Sequence, residues 1–285
     1  MANRNLLITG GTGYLGSQMI PMTENWTTHA TYFHTTPSPS PYAKFHQCDL
    51  REGKQVEKLL EEIRPSVIIH TACSNLNEDN RHSIVPAARH LAKLAVTINA
   101  RIIHVSTDLV FDGEHAPYTE EAKPAPLSEY GEEKAEADDI VLNHSQNALV
   151  VRPSLIYGIN PIDHQTGWLV KGIEDDQPVR LFTDEFRSPI WVNTLSQALL
   201  ELAEKDSTGI LNLAGTQALN RWDFGQYMLK MLKMETPPNV MRSTIKESGL
   251  IRPPNLTLDI SKARCLLKTP LVSVEEVTQQ LCQTE

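Results

Sequence analysis

The stretch NLLITGGTGYLGSQMI, residues 5–20, constrains the fold more than any other part of the chain. An apolar run leads directly into Gly10, Gly13 and Gly16, and these lead into a helical segment. Glycines placed between a strand and a helix permit a tight turn. They also let backbone N–H groups approach a pyrophosphate at the helix N-terminus. The surrounding sequence supplies the context that a bare glycine pattern lacks. THATYF (28–33), KFHQC (44–48), SVIIHTA (66–72), ARIIHVS (100–106) and ALVVR (148–152) read as further strands, rich in β-branched residues and bounded by polar or Gly/Pro segments. Between them, QVEKLLEEI sets Val56, Leu59, Leu60 and Ile63 at helical spacing, and PAARHLAKLAVTI is helical despite Pro86. This alternation predicts an α/β fold, with a Rossmann-type doubly wound parallel sheet over residues 1–152. Beyond Arg152 the pattern loosens, with helices near 194–204, 222–233 and 273–282 and strands near 179–182 and 210–213. Residues 153–285 read as a smaller mixed α/β substrate-binding lobe, some of whose segments are free to cross back to the first domain.

A glycine loop after the first strand of such a series points to a dinucleotide. The cofactor-binding candidates in the loop are Gly10, Thr12, Gly13, Tyr14, Leu15 and Gly16. His34 and Thr35 follow the second strand, Asp49 and Leu50 the third, and Thr71 and Ala72 the fourth. An acid at the end of the second strand accepts from the ribose 2′-OH of NAD. Here YFHTTPS carries none, whereas His34, Thr35 and Thr36 offer donors to a 2′-phosphate. NADPH is the expected cofactor, with NADH the alternative. Asp49 has two readings, an adenine contact or the N-cap of the helix that follows.

The formal net charge of −9 argues against nucleic acid or an anionic membrane surface as the main partner. No segment approaches the apolar length of a membrane span, and the apolar run at Leu6–Ile8 is too short for a signal peptide. Cys48, Cys73, Cys265 and Cys282 are widely spaced and form no C-x-x-C, so a cytoplasmic location without zinc or disulfides is expected. The ten His form no metal-ligand pattern, and no metal is predicted.

In LSEYGEEKAEAD (127–138), Tyr130 and Lys134 lie four apart and share one helix face. A phenol beside an ammonium ion titrates below its usual pKa of about 10, which suits a general acid. Two surface residues on a Glu/Lys-rich helix would give the same spacing.

With the loop TGGTGYLG and Tyr130-x-x-x-Lys134 together, the chain resembles the extended short-chain dehydrogenase/reductase family. The stretch VSTDLVFDGEHAPYTEEAKPAPLSEYGEEKAEAD is similar to that family's dTDP-4-dehydrorhamnose reductase branch. So are VVRPSLIYG, FRSPIWVNTLSQALLEL, GILNLAG and RPPNLTLDISKA. The resemblance extends from Leu6 to about Leu281. It implies that Thr107, Tyr130 and Lys134 are catalytic. Thr107 would hold a substrate carbonyl oxygen, Tyr130 would protonate it, and Lys134 would tune Tyr130 and bind the nicotinamide ribose. Ser106 should face the other side of the strand. The implied substrate is a nucleotide-diphospho-4-keto-6-deoxysugar, most closely dTDP-4-dehydrorhamnose, with a homodimer as an open question.

The chain departs from the family in two places. RHSIVPAARHLAKLAVTI has no Asn, with Pro86 placed to bend its start, and HTACSN (70–75) stands where N-A-A is usual. FRSPIW also differs from the glycine-rich segment of the rhamnose enzymes. Substrate-binding candidates in the second lobe are Arg187 and Arg252, each able to grip a diphosphate or to pair with neighbouring carboxylates, and Trp191, which would stack or pack. Thr107 is followed by Asp108 and Leu109, not the Asp-Glu expected of a dehydratase. The same branch also resembles the regulatory β subunit of methionine adenosyltransferase, a dinucleotide-binding protein that acts through a partner.

Overall fold

The structure is a computed structural model that describes residues 4–72 and 81–283. Its strands are β1 (Asn5–Thr9), β2 (Thr27–Tyr32), β3 (Lys44–Gln47), β4 (Val67–His70), β5 (Arg101–Val105), β6 (Ala148–Pro153), β7 (Ile156–Tyr157), β8 (Val179–Phe182), β9 (Phe186–Arg187), β10 (Ile190–Trp191), β11 (Gly209–Leu213), β12 (Leu219–Asn220) and β13 (Val240–Ser243). Seven of these form one sheet in the order β11-β6-β5-β4-β1-β2-β3. The pairs from β3 through to β6 are parallel. Parallel neighbours need long crossovers, which the helices Tyr14–Met19, Gly53–Ile63, Ile84–Thr97 and Glu129–His144 supply. The strand order reverses between β1 and β4, so the loops leaving those two strands open the crevice in which such sheets bind ligands.

Burial explains why the strands read as continuous aliphatic runs. Every residue of β4, β5 and β6 is buried, as expected where helices cover both faces of a parallel sheet. Helix Gly53–Ile63 buries Val56, Leu59, Leu60 and Ile63, and Arg64 ends it in the left-handed conformation (φ 47°) just before Pro65. Helix Ile84–Thr97 buries Ile84, Ala87, Ala88, Leu91, Ala92 and Ala95, a stripe of mostly small side chains. It packs in one core with Ala137 and Val141 of helix Glu129–His144. Pro86 does not interrupt this helix. It is the third residue, where the N–H it lacks would have no intrahelical acceptor.

The chain divides into two compact units. The first comprises Met1–Thr107, Ser128–Arg152 and Ser196–Leu211, and the second comprises Asp108–Leu127, Pro153–Leu195 and Asn212–Glu285. The second unit pairs its short strands as β7–β10, β9–β12 and β8–β13. Its core includes Tyr157, fully buried, with Trp191 and Phe224 edge-on at 5.3 and 5.5 Å. Helices His164–Glu174, Ile245–Ser248 and Ser261–Leu266 were not legible as periodic segments. The first begins at Asp163, whose carboxylate accepts from the N–H groups of Gln165 and Thr166.

Candidate active site

The glycine loop is built by close approach. Gly10 has φ +74°, and a Cβ there would lie 2.9 Å from the Ala72 Cα in the loop after β4. A Cβ at Gly16 would fall 2.3 Å from the Gly10 carbonyl oxygen, so both positions exclude a side chain. The Gly11 N–H donates to Thr31 O at 2.7 Å and the Gly13 N–H to Gly10 O at 2.9 Å, which fixes the turn. Gly13 is exposed, Thr12 and Tyr14 are half-buried, and Leu15 is buried. The Thr71 hydroxyl donates to Thr9 O at 2.7 Å and binds the β4 exit to this loop. The rest of HTACSN from Cys73 onward lies outside the described residues.

At the exits of β2 and β3, His34 and Thr35 are exposed, and the His34 ring lies 3.9 Å from that of Phe33. Leu50 is buried in the core. Asp49 does not cap the following helix, whose N-cap is Glu52. Its carboxylate instead accepts from the Arg51 backbone at 3.0 Å and from the Arg51 guanidinium at 2.8–3.1 Å. Those hydrogen bonds hold the Asp49 carboxyl below the usual carboxylate range.

Helix Glu129–His144 begins where Ser128 accepts from the Gly131 N–H at 3.2 Å. Tyr130 packs half-buried against the core of the first unit. One turn on, the Lys134 side chain is 2% exposed, and its ammonium donates to the Val105 carbonyl at 2.7 Å. Thr107, also buried, follows Val105 by two residues at the carboxyl end of β5, with buried Ser106 between them. The neighbourhood of Lys134 is an unusual polar set within an aliphatic sheet. Thr9, His70 and His104 are register partners on β1, β4 and β5, so their side chains share a face. The Thr9 hydroxyl meets His70 Nδ1 at 2.7 Å, and the two imidazole rings are 5.1 Å apart. Burial, with Lys134 nearby, pushes His70 down to about 3 and His104 well below its ordinary value, so both rings are neutral. On the far side of His104, Asp138 pairs with Arg152 at 3.1 Å.

In the second unit the three guanidiniums of Arg187, Arg221 and Arg252 surround Glu185, which is fully buried. Arg187 donates to Asp108 Oδ1 at 2.7 Å. Burial opposes its charge, but Asp108 and Glu185 overcome that and raise its pKa. Arg252 grips Glu185 at 2.5 and 3.1 Å. The carboxylate-pairing reading of Arg187 and Arg252 is therefore realised here. Trp191 packs in the core. Arg221, Arg51, His70, His104, Asp138 and Arg152 were not singled out from the sequence. The one available signal was Arg51, two residues beyond Asp49. Among the described residues no cluster of three or more His, Cys, Asp or Glu could hold a metal ion. No helix among the described residues is long and apolar enough to cross a membrane.

Comparison with known proteins agrees with this fold. The family described as RmlD substrate binding domain matches residues 4–285. The mouse methionine adenosyltransferase 2 subunit beta is 28% identical over 284 residues, covering 93% of this chain and 83% of its own. Among solved structures, a hypothetical dTDP-4-dehydrorhamnose reductase from Sulfolobus tokodaii is 28% identical, with a TM-score of 0.80 and 94% and 97% of the two chains covered. The Bacillus anthracis dTDP-4-dehydrorhamnose reductase in complex with NADP is 21% identical, with a TM-score of 0.81 over 100% of each chain.

Proposed function

The chain belongs to the RmlD substrate binding domain family, a branch of the extended short-chain dehydrogenases/reductases, and on that footing we propose that it is an NADPH-dependent reductase of a nucleoside-diphospho-4-keto-6-deoxysugar. The best candidate substrate is dTDP-4-dehydrorhamnose, the sugar named for the Sulfolobus and Bacillus neighbours. The observation that carries the reading is the arrangement around β5. Tyr130 and Lys134 stand one turn apart on a capped helix, and Lys134 is locked to the Val105 carbonyl, two residues before Thr107.

The glycine loop supports a dinucleotide, because a Cβ at Gly10 or Gly16 would fill the space the turn needs. When bound, the reduced nicotinamide supplies hydride to the substrate's carbonyl carbon. The Thr107 hydroxyl holds the carbonyl oxygen. Tyr130 passes its phenolic proton to that oxygen as negative charge gathers there. The Lys134 ammonium, fixed by its bond to β5, stabilises the charge left on the phenol oxygen. Gly10, Thr12, Gly13 and Tyr14 line the pyrophosphate loop, and Thr71 and Ala72 bound it from β4. Arg187 and Arg252 would meet the substrate diphosphate only by sharing or exchanging their present carboxylate partners.

Mixing the protein with dTDP-4-keto-6-deoxy-L-mannose and NADPH tests this by loss of nicotinamide absorbance. Turnover that disappears in Tyr130→Phe is expected, and a Tyr130→Phe variant as active as the parent would refute the role. A second reading is favoured by the 28% identity to the methionine adenosyltransferase 2 β subunit. On that reading the protein binds dinucleotide and acts through a partner. Dinucleotide binding with no turnover, together with co-elution with a methionine adenosyltransferase catalytic subunit, would establish it instead.

A further inference from the structure

We propose that Arg51 selects the 2′-phosphate of NADPH, and that Asp49 serves as its holder; the proposal rests on the dinucleotide reading above. In sheets of this order the 2′ position of the adenosine ribose is read where the chain leaves β2, by an acid for the hydroxyl or by an Arg for the phosphate. The residues after β2 are Phe33, His34, Thr35 and Thr36, which include neither. The cation arrives from the next strand instead. β3 runs parallel to β2, with Thr31 opposite His46 and Tyr32 opposite Gln47. The turn after β3 therefore emerges beside Phe33, and the Gln47 amide donates to Phe33 O at 3.2 Å. The Arg51 guanidinium lies over the Phe33 ring, 5.2 Å from its centre.

Asp49 is the acid that emerges at this edge, and Arg51 already engages it through Nε, Nη2 and the backbone N–H. Both of its carboxylate oxygens are thus already occupied by Arg51, which competes with a ribose 2′-hydroxyl for them. The same contacts, with the Phe33 face, pin the guanidinium before any ligand arrives and reduce the ordering cost of binding. The Arg51 side chain remains 35% exposed, so one side of a planar donor group can reach a dianionic phosphate. The exposed ring of His34, tilted against Phe33 at 3.9 Å between centroids, offers a second donor at this edge. NADH lacks the phosphate and gains nothing from either group.

Dissociation constants for NADPH, NADH, adenosine 2′,5′-bisphosphate and ADP, measured by calorimetry, test the inference without any substrate. The parent should bind NADPH about 10- to 100-fold more tightly than NADH, the scale of one or two charge-assisted hydrogen bonds. Arg51→Ala should lose that factor for both 2′-phosphate ligands while NADH and ADP hold within about twofold, and Arg51→Lys should retain part of it. Equal affinity for NADPH and NADH in the parent, or equal weakening of both by Arg51→Ala, overturns this inference and leaves the dinucleotide site standing. Failure of all four ligands to bind the parent removes the dinucleotide reading and this inference with it.

Discussion

Removing the carboxylate of Asp138 should be among the most damaging single changes available to the first unit. Asp138 and Arg152 have side chains only 1% and 2% exposed, and their Oδ2 and Nε lie 3.1 Å apart. His104 Nε2 approaches the other carboxylate oxygen at 3.6 Å. Breaking such a pair by deleting one partner leaves the buried Arg152 charge without its Asp138 counter-charge, at a cost of about 3–5 kcal/mol. With a melting-temperature change of about 2–4 °C per kcal/mol for a protein of this size, Asp138→Ala should melt about 6–20 °C lower. The pair joins helix Glu129–His144 to β6, so urea unfolding followed by circular dichroism should report the loss through the midpoint. Replacing both partners with apolar residues, Asp138→Leu with Arg152→Met, should recover most of the stability, because the stranded charge is then gone. A cost below about 1 kcal/mol for Asp138→Ala would refute the reasoning. So would a double variant no better than the single one, which would make lost volume the cause.

Gly10→Ala should abolish dinucleotide binding in the same calorimetric assay, since φ +74° and the Ala72 contact leave no room for a methyl group; unchanged affinity would contradict the cradle. Stability should fall as pH drops below about 6.5, because His29, His46, His70 and His104 all have folded-state pKa values below the unfolded one. Protons then favour the unfolded chain. His70, fully buried and pushed down to about 3, has a wide window, so His70→Asn should move the acid-unfolding midpoint to lower pH. In the second unit, Glu185→Gln removes the buried charge that three guanidiniums share, although Arg187 keeps Asp108, and should cost about 3–5 kcal/mol, measured by the same urea titration. Differential alkylation should label exposed Cys265 and Cys282 well before Cys48, whose thiol is pushed up to about 11 by burial.

Local signals carried far where periodicity and packing agreed. Strands 5–9 and 66–72 lie within a residue or two of their places because each is a buried aliphatic run with clear punctuation, as do strand 28–33, rich in β-branched and aromatic residues, and the helix whose Val56, Leu59, Leu60 and Ile63 fall at helical spacing. Helix His164–Glu174 was missed because its two glycines and scattered polar residues hide a short apolar side that only packing reveals. Within the candidate site, Tyr130 and Lys134 were legible through spacing on one helix. Arg51 was not, since its relation to Phe33 comes from the β2–β3 register, two strands joined through a long Pro/Ser loop. Arg187 and Arg252 were visible as residues, but that they converge with Arg221 on one buried glutamate is a tertiary fact.

The chain leaves the first unit after Arg152 and returns to it only with Ser196–Leu211, bringing β11 to the outer side of β6. During synthesis, β6 therefore emerges with a bare edge, and all six of its residues are destined for burial. Until its neighbour is made some sixty residues later, that edge is a template for pairing with other nascent chains. The sheet cannot close in the order it is translated. A chain stopped anywhere between β6 and β11 should aggregate rather than accumulate as a folded fragment, which makes this interval the stretch of translation most in need of a chaperone.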